Sequence, residues 1–406
     1  MLRLIFALIF FVFPFHCNGA EKTSHKTEKK QKICLNMIVK DESRVIKRCL
    51  DSVKEVIDYW VIVDTGSTDG TQKIIESYLK DIPGKLYQSE WKNWAVNRNE
   101  ALQLAKGKAD YILLMDADDI LVFKNKQEFP PLTQDLYNMW RGATGFTYIK
   151  HQLIRDGLPW KWVGVTHEYL DCERPYSSAL LEQVKYVTHD DGAGSYDPKK
   201  FRKNVDLLVE GLKEEPHNSR YVFYLAESYR DSGEKAKAIE FYQKRVNMGG
   251  WDEEVFWSKL QIARMLQEVG VAQCILEASY LDAHTSRPHR VEPVYHLAEL
   301  YNQQQNYVKS YEIVKKFLST PQPKVKDSLF NMDWMQHYGL LCQLSISSYY
   351  IGKYEESLAT IDKLLAMESL PEGWREQSKI NRTFSVAKLE EAKEKGSLIK
   401  KIVKAR

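Results

Sequence analysis

Apolar and polar positions change rhythm several times along this chain. After an apolar run, Leu4 to Phe15, and a polar stretch, Glu21 to Lys32, short apolar runs alternate with segments whose apolar residues recur every three or four positions. ICLNMIV (Ile33 to Val39), YWVIVD (Tyr59 to Asp64), GKLYQSE (Gly84 to Glu90) and ADYILLMD (Ala109 to Asp116) have the apolar make-up of strands. Between the first two, Asp41 to Ile57 puts Val45, Ile46, Cys49, Leu50, Val53 and Ile57 at helical spacing. Thr68 to Lys80 repeats the pattern with Ile74, Ile75, Tyr78 and Leu79, and Asn93 to Lys108 supplies a third helix. Apolar strands separated by helices require crossover connections, so residues 33–195 are expected to form an α/β domain, a mostly parallel sheet flanked by helices. From Arg141 to His189 the rhythm is irregular. GFTYIKHQLIRDGLPWKWVGVTHEYL, residues 145–170, predicts a hairpin turned at Arg155 to Gly157, with at least one of Trp160 and Trp162 in the core.

From residue 196 to 406 only helical spacing remains. In YVFYLAESYRDSGEKAKAIEFYQKRV, Leu225, Ala226 and Tyr229 are answered by Gly233, Ala238, Ile239 and Tyr242. The same grammar returns in VYHLAELYNQQQNYVKSYEIVKKFL and LSISSYYIGKYEESLATIDKLL. Small residues where helices cross, with large ones at fixed offsets, resemble tetratricopeptide units of about 34 residues. A degenerate copy is expected between Trp251 and His284, and a capping helix over Trp374 to Lys395. The second half is therefore expected to be an all-α, tetratricopeptide-like solenoid.

Composition narrows the classes. With 406 residues, 44% hydrophobic and 28% charged, the chain holds material for two or three folded domains. A net charge of +3 with interspersed signs leaves no nucleic-acid footprint. Arg3, the apolar run after it and small residues ending at Ala20 follow the grammar of a signal peptide over residues 1–20, with a solvated linker over 21–32. This predicts a protein of the secretory pathway, exported or membrane-associated, or a cytosolic one if the run is not a signal. Asn381 in NRT offers one glycan acceptor there. Cys17 falls within the signal-like segment, and the remaining five cysteines are odd in number, widely spaced and without a CxxC pair. They are expected to be buried free thiols.

Candidate chemistry collects at the predicted strand ends, where ligands of open parallel sheets bind. KDE (Lys40 to Glu42), DTGSTDG (Asp64 to Gly70) and DADD (Asp116 to Asp119) follow the first, second and fourth strands. Asp116 and Asp118, one residue apart at a strand end, can share one hard divalent cation, Mn²⁺ or Mg²⁺, that bridges to a diphosphate. An acidic solvated loop or helix cap is the plainer alternative. No GxGxxG follows a strand, which argues against a dinucleotide sheet.

NMIVKDESRVIKRCLDSV, VIVDTGSTDGT, NRNEAL and YILLMDADD, in that order, resemble glycosyltransferase family 2 and its GT-A nucleotide-sugar-binding fold. By that resemblance Asp64 holds the nucleotide base. Arg98, with Asn97, lies near the diphosphate of a UDP- or GDP-sugar donor, Asp116 and Asp118 bind metal and donor, and Glu42 faces the nucleotide. The resemblance also implies an inverting transfer to a saccharide, lipid-linked or polypeptide acceptor. The family's usual ED pair after the DxD strand has no clear counterpart. The nearest carboxylate is Glu168 in VTHEYL, expected as the catalytic base, beside His167, which is open as base, metal ligand or acceptor contact. A satisfied pair on a half-buried strand is the alternative for both. His189 in THDDG either completes the metal site or caps the loop into the helices. The repeats of such relatives imply a groove for a protein partner or a homodimer contact. Two other functions remain: a non-catalytic repeat scaffold carrying a decayed transferase, and an aspartate-nucleophile phosphatase. The second expects its nucleophile on the first strand, which DADD does not follow.

Overall fold

The computed structural model describes residues 30–143, 146–323 and 329–405. The expected signal segment and most of the linker after it lie outside them. The chain alternates β1 (Ile33–Val39), α1 (Ile46–Val53), β2 (Tyr59–Asp64), α2 (Thr71–Tyr78), β3 (Gly84–Gln88), α3 (Trp94–Ala105) and β4 (Tyr111–Leu114). It then runs through β5 (Asp119–Phe123), β6 (Leu136–Ala143), β7 (Phe146–Arg155), β8 (Trp160–Val163), β9 (Tyr169–Cys172) and β10 (Ser178–Thr188). The main sheet is eight-stranded, in the order β3-β2-β1-β4-β7-β6-β10-β5. Pairs β1–β2, β2–β3, β1–β4 and β6–β10 are parallel, whereas β4–β7, β6–β7 and β5–β10 are antiparallel.

Every residue of β1 is buried because both faces of the sheet are covered. On one side Leu35, Met37, Ile62 and Leu113 pack with Ile46, Leu50 and Val53 of α1 and Ile75 of α2. On the other, Cys34, Val61, Ile112 and Ile154 pack with Ala95 and Leu102 of α3 and with Trp160, Trp162 and Leu170. Both tryptophans are core.

The hairpin expected at Arg155 to Gly157 does not form. Pairing with β4 and β6 occupies both edges of β7, so β8 leaves the main sheet and pairs with β9 in a separate two-stranded sheet. That small sheet roofs α3 and brings the 164–168 loop to the sheet edge, with the Trp94 N–H donating to the Val165 carbonyl at 3.3 Å. Helix α1 begins at Ile46, later than its apolar spacing suggests, because Asp41, Glu42 and Ser43 are tied sideways to the loop after β2.

Beyond a 3₁₀ turn at Ala193–Tyr196 the chain is helical: α4 (Lys200–Glu214), α5 (Ser219–Asp231), α6 (Lys235–Met248), α7 (Asp252–Glu268), α8 (Gln273–Ser286), α9 (Glu292–Gln303), α10 (Tyr307–Ser319), α11 (Leu340–Tyr350), α12 (Tyr354–Leu365) and α13 (Glu372–Ala405). Ala226, Ala238, Ala263, Ala283 and Ala298 are fully buried alongside Tyr242, Tyr280 and Phe256, the small and large partners that stacked helix pairs need. Helices α7 and α8 form the degenerate copy. The last helix extends past the expected cap at both ends. Cys34, Cys49, Cys172 and Cys342 are buried free thiols, but Cys274 is exposed, since it enters α8 on the solvent side. Among the described residues no helix is long and apolar enough to cross a membrane.

Candidate active site

The carboxyl ends of β1, β2 and β4 open on one cleft of about 1030 Å³, a size that suits a nucleotide-sized ligand. Its first rim is a laced pair of loops. Asp41, in the left-handed region at φ 56°, accepts from Thr68 N at 2.7 Å, and its own N–H donates to Ser67 Oγ at 2.8 Å. Glu42 N donates to Thr71 Oγ1 at 2.8 Å and Ser43 N to Asp69 Oδ2 at 2.9 Å. Burial works against ionisation of Asp69, but the hydrogen bonds from Thr71 and Ser43 outweigh it and bring the carboxyl down to about 2. Gly70, at φ 91°, makes the left-handed turn into α2 that a side chain would resist. Asp64, 1% exposed at the end of β2, accepts through Oδ1 from Gly66 N, Ser67 N and Gln72 Nε2 at 2.9–3.1 Å. Its Oδ2 is buried without a partner.

The DADD carboxylates have three different environments. Asp116 accepts from Arg98 Nη2 at 2.6 Å and Lys150 Nζ at 3.1 Å, with Arg141 Nη2 at 3.8 Å. Burial alone would raise it, but Arg98, Lys150 and Arg141 hold it well below the usual carboxylate range. Asp119 is wholly buried, 3.3 Å from Arg141, and burial with the Asp116 charge pushes it up to about 7. Asp118 faces the cleft with Glu42. A Cβ on Gly192 would lie 3.1 Å from both Asp118 Oδ2 and Glu42 Oε2, so the two carboxylates converge there. They accept from Gly192 N at 3.3 Å and Ala193 N at 3.2 Å. Burial, reinforced by Asp116, raises Asp118. Burial, reinforced by Asp118, Asp69 and Asp116, pushes Glu42 up to about 7. Arg48 pins this strap by bonding Asp191 at 2.5 and 2.8 Å and the Asp118 carbonyl at 3.1 Å.

Among the described residues no group of three or more His, Cys, Asp or Glu side chains is arranged to hold a metal ion. The donor chemistry where Glu42 and Asp118 converge is nevertheless that of a hard divalent cation, two oxygen ligands whose charges oppose each other in a partly desolvated cleft.

Glu168 lines the cleft between β8 and β9 and accepts from Arg98 Nε at 2.7 Å. Arg98 thus bridges Asp116 and Glu168, with its guanidinium against the rings of Trp94 and Trp162 at 5.6 and 5.1 Å. His167, at φ 51°, stacks on Tyr224 of α5 with 4.0 Å between centroids. The residue lines the cleft and keeps solvent exposure; desolvation by its surroundings, with Arg220 and Lys200 nearby, lowers its pKa to about 4, so the ring is neutral at neutral pH.

The structure therefore brings Glu42, Arg98, Asp116, Asp118, His167 and Glu168 to one cleft, with Asp64 buried behind Thr65 at its rim. Two residues stand apart. Asn97 is buried and its amide is fully engaged with the preceding loop, accepting from Lys92 N at 2.9 Å and donating to the Glu90 carbonyl at 3.0 Å. His189 is exposed outside the cleft, whose lining takes in Asp190 instead. The sequence did not mark Arg141, Lys150 or the helix residues Lys200 and Arg220. Period-two alternation in LYNMWRGA carried the signal for Arg141, but its neighbour across the sheet is set by topology.

A family model described as Glycosyl transferase family 2 matches residues 34–129. The glycosyltransferase SunS of Bacillus subtilis (strain 168), derived from the SPbeta prophage, is 25% identical over 243 residues, 56% of this chain and 55% of that protein. The chain thus spans about half the length of that relative. An uncharacterized glycosyltransferase of Rickettsia bellii (strain RML369-C) is 32% identical over 240 residues, 56% of this chain and 74% of that protein. Among solved structures, S. aureus TarS 1-349 in complex with UDP-GlcNAc matches 59% of this chain and 87% of that one at 15% identity, with a TM-score of 0.32.

Proposed function

The chain belongs to glycosyl transferase family 2, and from that premise we propose that it moves a sugar from a UDP- or GDP-sugar donor, with inversion, to a saccharide, lipid-linked or polypeptide acceptor. One observation carries the reading: Asp116, Asp118, Arg98 and Glu168 share a cleft at the carboxyl edge of the parallel strands. The unpartnered Oδ2 of Asp64 suits an N–H of the nucleotide base, because a buried acceptor without a donor is otherwise unfavourable. Asp118, with Glu42 and with Asp116 behind them, would hold Mn²⁺ or Mg²⁺, and when bound such an ion neutralises charge on the departing diphosphate.

The chain's own groups do the rest. Glu168, oriented by Arg98, takes the proton of the acceptor hydroxyl as its oxygen attacks the anomeric carbon. The bond from that carbon to the diphosphate oxygen breaks, and the electron pair leaves with the diphosphate. Arg98, fixed by its two tryptophans, stands where negative charge develops and stabilises the transition state more than the ground state.

Nucleoside diphosphate release from UDP- and GDP-sugars in Mn²⁺, compared between the parent and Asp118→Asn, tests this. We expect a loss of roughly 10²- to 10³-fold in the variant. Equal turnover would remove the aspartate pair from the mechanism, and a parent that binds neither UDP nor GDP by calorimetry in Mn²⁺ would instead be a repeat scaffold. The signal-like start supports placement in the secretory pathway, testable by sequencing the mature N-terminus. The stacked repeats support a protein partner or self-association, testable by sedimentation.

A further inference from the structure

We propose that the cleft holds an anion-binding subsite on its acceptor side, formed by Lys200 of α4 and Arg220 of α5 with the exposed His167. It would select acceptor sugars that carry an oxyanion, a phosphate or a carboxylate. The inference rests on the transferase reading and names the acceptor class for it.

Position comes first. Asp64 ends β2, Asp116 follows β4, and Glu168 lies beyond them on the β8–β9 loop, so a donor laid from Asp64 to Asp116 leaves the acceptor on the Glu168 side. The wall there comes from the repeat helices, through Lys200, Arg220 and Tyr224. Tyr224 covers one face of the His167 ring, and the residue is exposed where it lines the cleft. A neutral aromatic face of this kind accepts the C–H surface of a sugar ring.

Charge comes second. Arg220 donates to the His167 carbonyl at 2.8 and 3.2 Å and stacks against Tyr169 and Tyr224 at 5.1 and 4.8 Å. Its ion-pair partner Glu254 stands 3.9 Å away and is shared with Arg245, which holds it at 2.9 Å. Among the described residues no carboxylate lies within ion-pair distance of Lys200, whereas Lys203 one turn on is paired with Asp197 at 2.6 Å. Both Lys200 and Arg220 depress the protonation of His167, as cations facing the same spot must. At the other end of the cleft the three cations Arg98, Lys150 and Arg141 surround Asp116. Lys40, after β1, also lines the cleft, and on the Glu168 side it is the wall of α4 and α5 that has positive charge to offer a ligand. A neutral acceptor would leave that charge to water, and an anionic one would gain a charge-assisted bond worth about 10- to 100-fold in affinity.

The test uses the full chain with UDP and Mn²⁺ present to fill the donor end. Glucose, glucose 6-phosphate and glucuronic acid are titrated in turn by calorimetry at low salt. We expect the charged sugars to bind at least about tenfold more tightly than glucose, and Lys200→Glu, an exposed change, to weaken them about tenfold while weakening UDP far less. Arg220→Gln, folded by circular dichroism, should do the same. A response to the phosphate alone or the carboxylate alone tells which oxyanion is read. Equal binding of all three sugars, no binding of the charged ones, or no effect of Lys200→Glu would overturn the subsite. Failure of the transferase reading shows separately, as a parent that binds neither UDP nor GDP.

Discussion

Arg98 divides its guanidinium between two carboxylates, Asp116 at 2.6 Å and Glu168 at 2.7 Å, while two indoles hold its plane. All three charged groups are largely buried, so removing the cation leaves Glu168 without its ion-pair partner and Asp116 with only Lys150 and Arg141. Arg98→Ala is expected to destabilise the fold by about 3–5 kcal/mol, measured by urea denaturation. Arg98→Lys should recover only part of this, because an ammonium cannot present two N–H groups in one plane to two acceptors. A lysine variant as stable as the parent would contradict the bridging role. Glu42 gives a prediction of opposite electrostatic origin. Its folded pKa of about 7 lies above its ordinary value near 4.5. Between those values the folded chain keeps a proton that the unfolded chain has released, so this group's contribution to stability falls as pH rises through that window. In metal-free buffer, Glu42→Gln should therefore gain on the parent between pH of about 5 and about 8, read as the difference in urea midpoints. A difference that stays constant would show that the Glu42 charge is not opposed. Added Mn²⁺ should stabilise the parent more than Asp118→Asn, since a ligand stabilises only the state that binds it.

At the scale of elements, close approach between neighbours decides what the sheet tolerates. Gly84 opens β3 directly over the indole of Trp60, where an added Cβ would sit 2.3 Å from three ring atoms. Trp60 is buried and its Nε1 donates to the Ile82 carbonyl at 2.9 Å, so the ring cannot swing away without losing that bond. Gly84→Ala should lower stability by about 1–3 kcal/mol by overpacking, seen as a lower urea midpoint at an unchanged slope. Elements built from local pattern were legible in the sequence: β1, β2 and β4 match their apolar runs, and Asn93 caps α3 by accepting from Val96 N at 2.9 Å. What could not be read was pairing. Nothing in Trp160 to Val163 says that both edges of β7 are taken, and β5, β6 and β10 interleave from distant parts of the chain. The site divides along the same line. Asp116, Asp118 and Arg98 sit on elements with strong local signals, whereas Lys150 and Arg141 reach Asp116 only through the β4–β7–β6 order, and Lys200 and Arg220 only through the docking of helices onto the 164–168 loop.

For the whole molecule, that docking is narrow but lies at the cleft. It includes Val165 packed against the first repeat core, the His167–Tyr224 stack, the Thr166 hydroxyl donating to Asn204 Oδ1, and Arg220 bonding the His167 carbonyl and lying over Tyr169. Repeat arrays couple mainly to their neighbours, so an event at the cleft should pass into α4 and α5 and fade along the stack. The terminal helices α11 to α13 pack in further apolar clusters, one of them shared with α9 and α10 and touching the cluster that meets the cleft through Ile313 and Met332. Saturating UDP and Mn²⁺ should therefore slow amide hydrogen exchange most in the loops after β1, β2 and β4 and in residues 164–168. Protection should be smaller but clear in α4 and α5, and near zero in α11 to α13. Equal protection across all the helices would mean that the repeats respond as one rigid body. No protection in α4 and α5 would mean that the wall they lend to the cleft does not sense an occupied donor end.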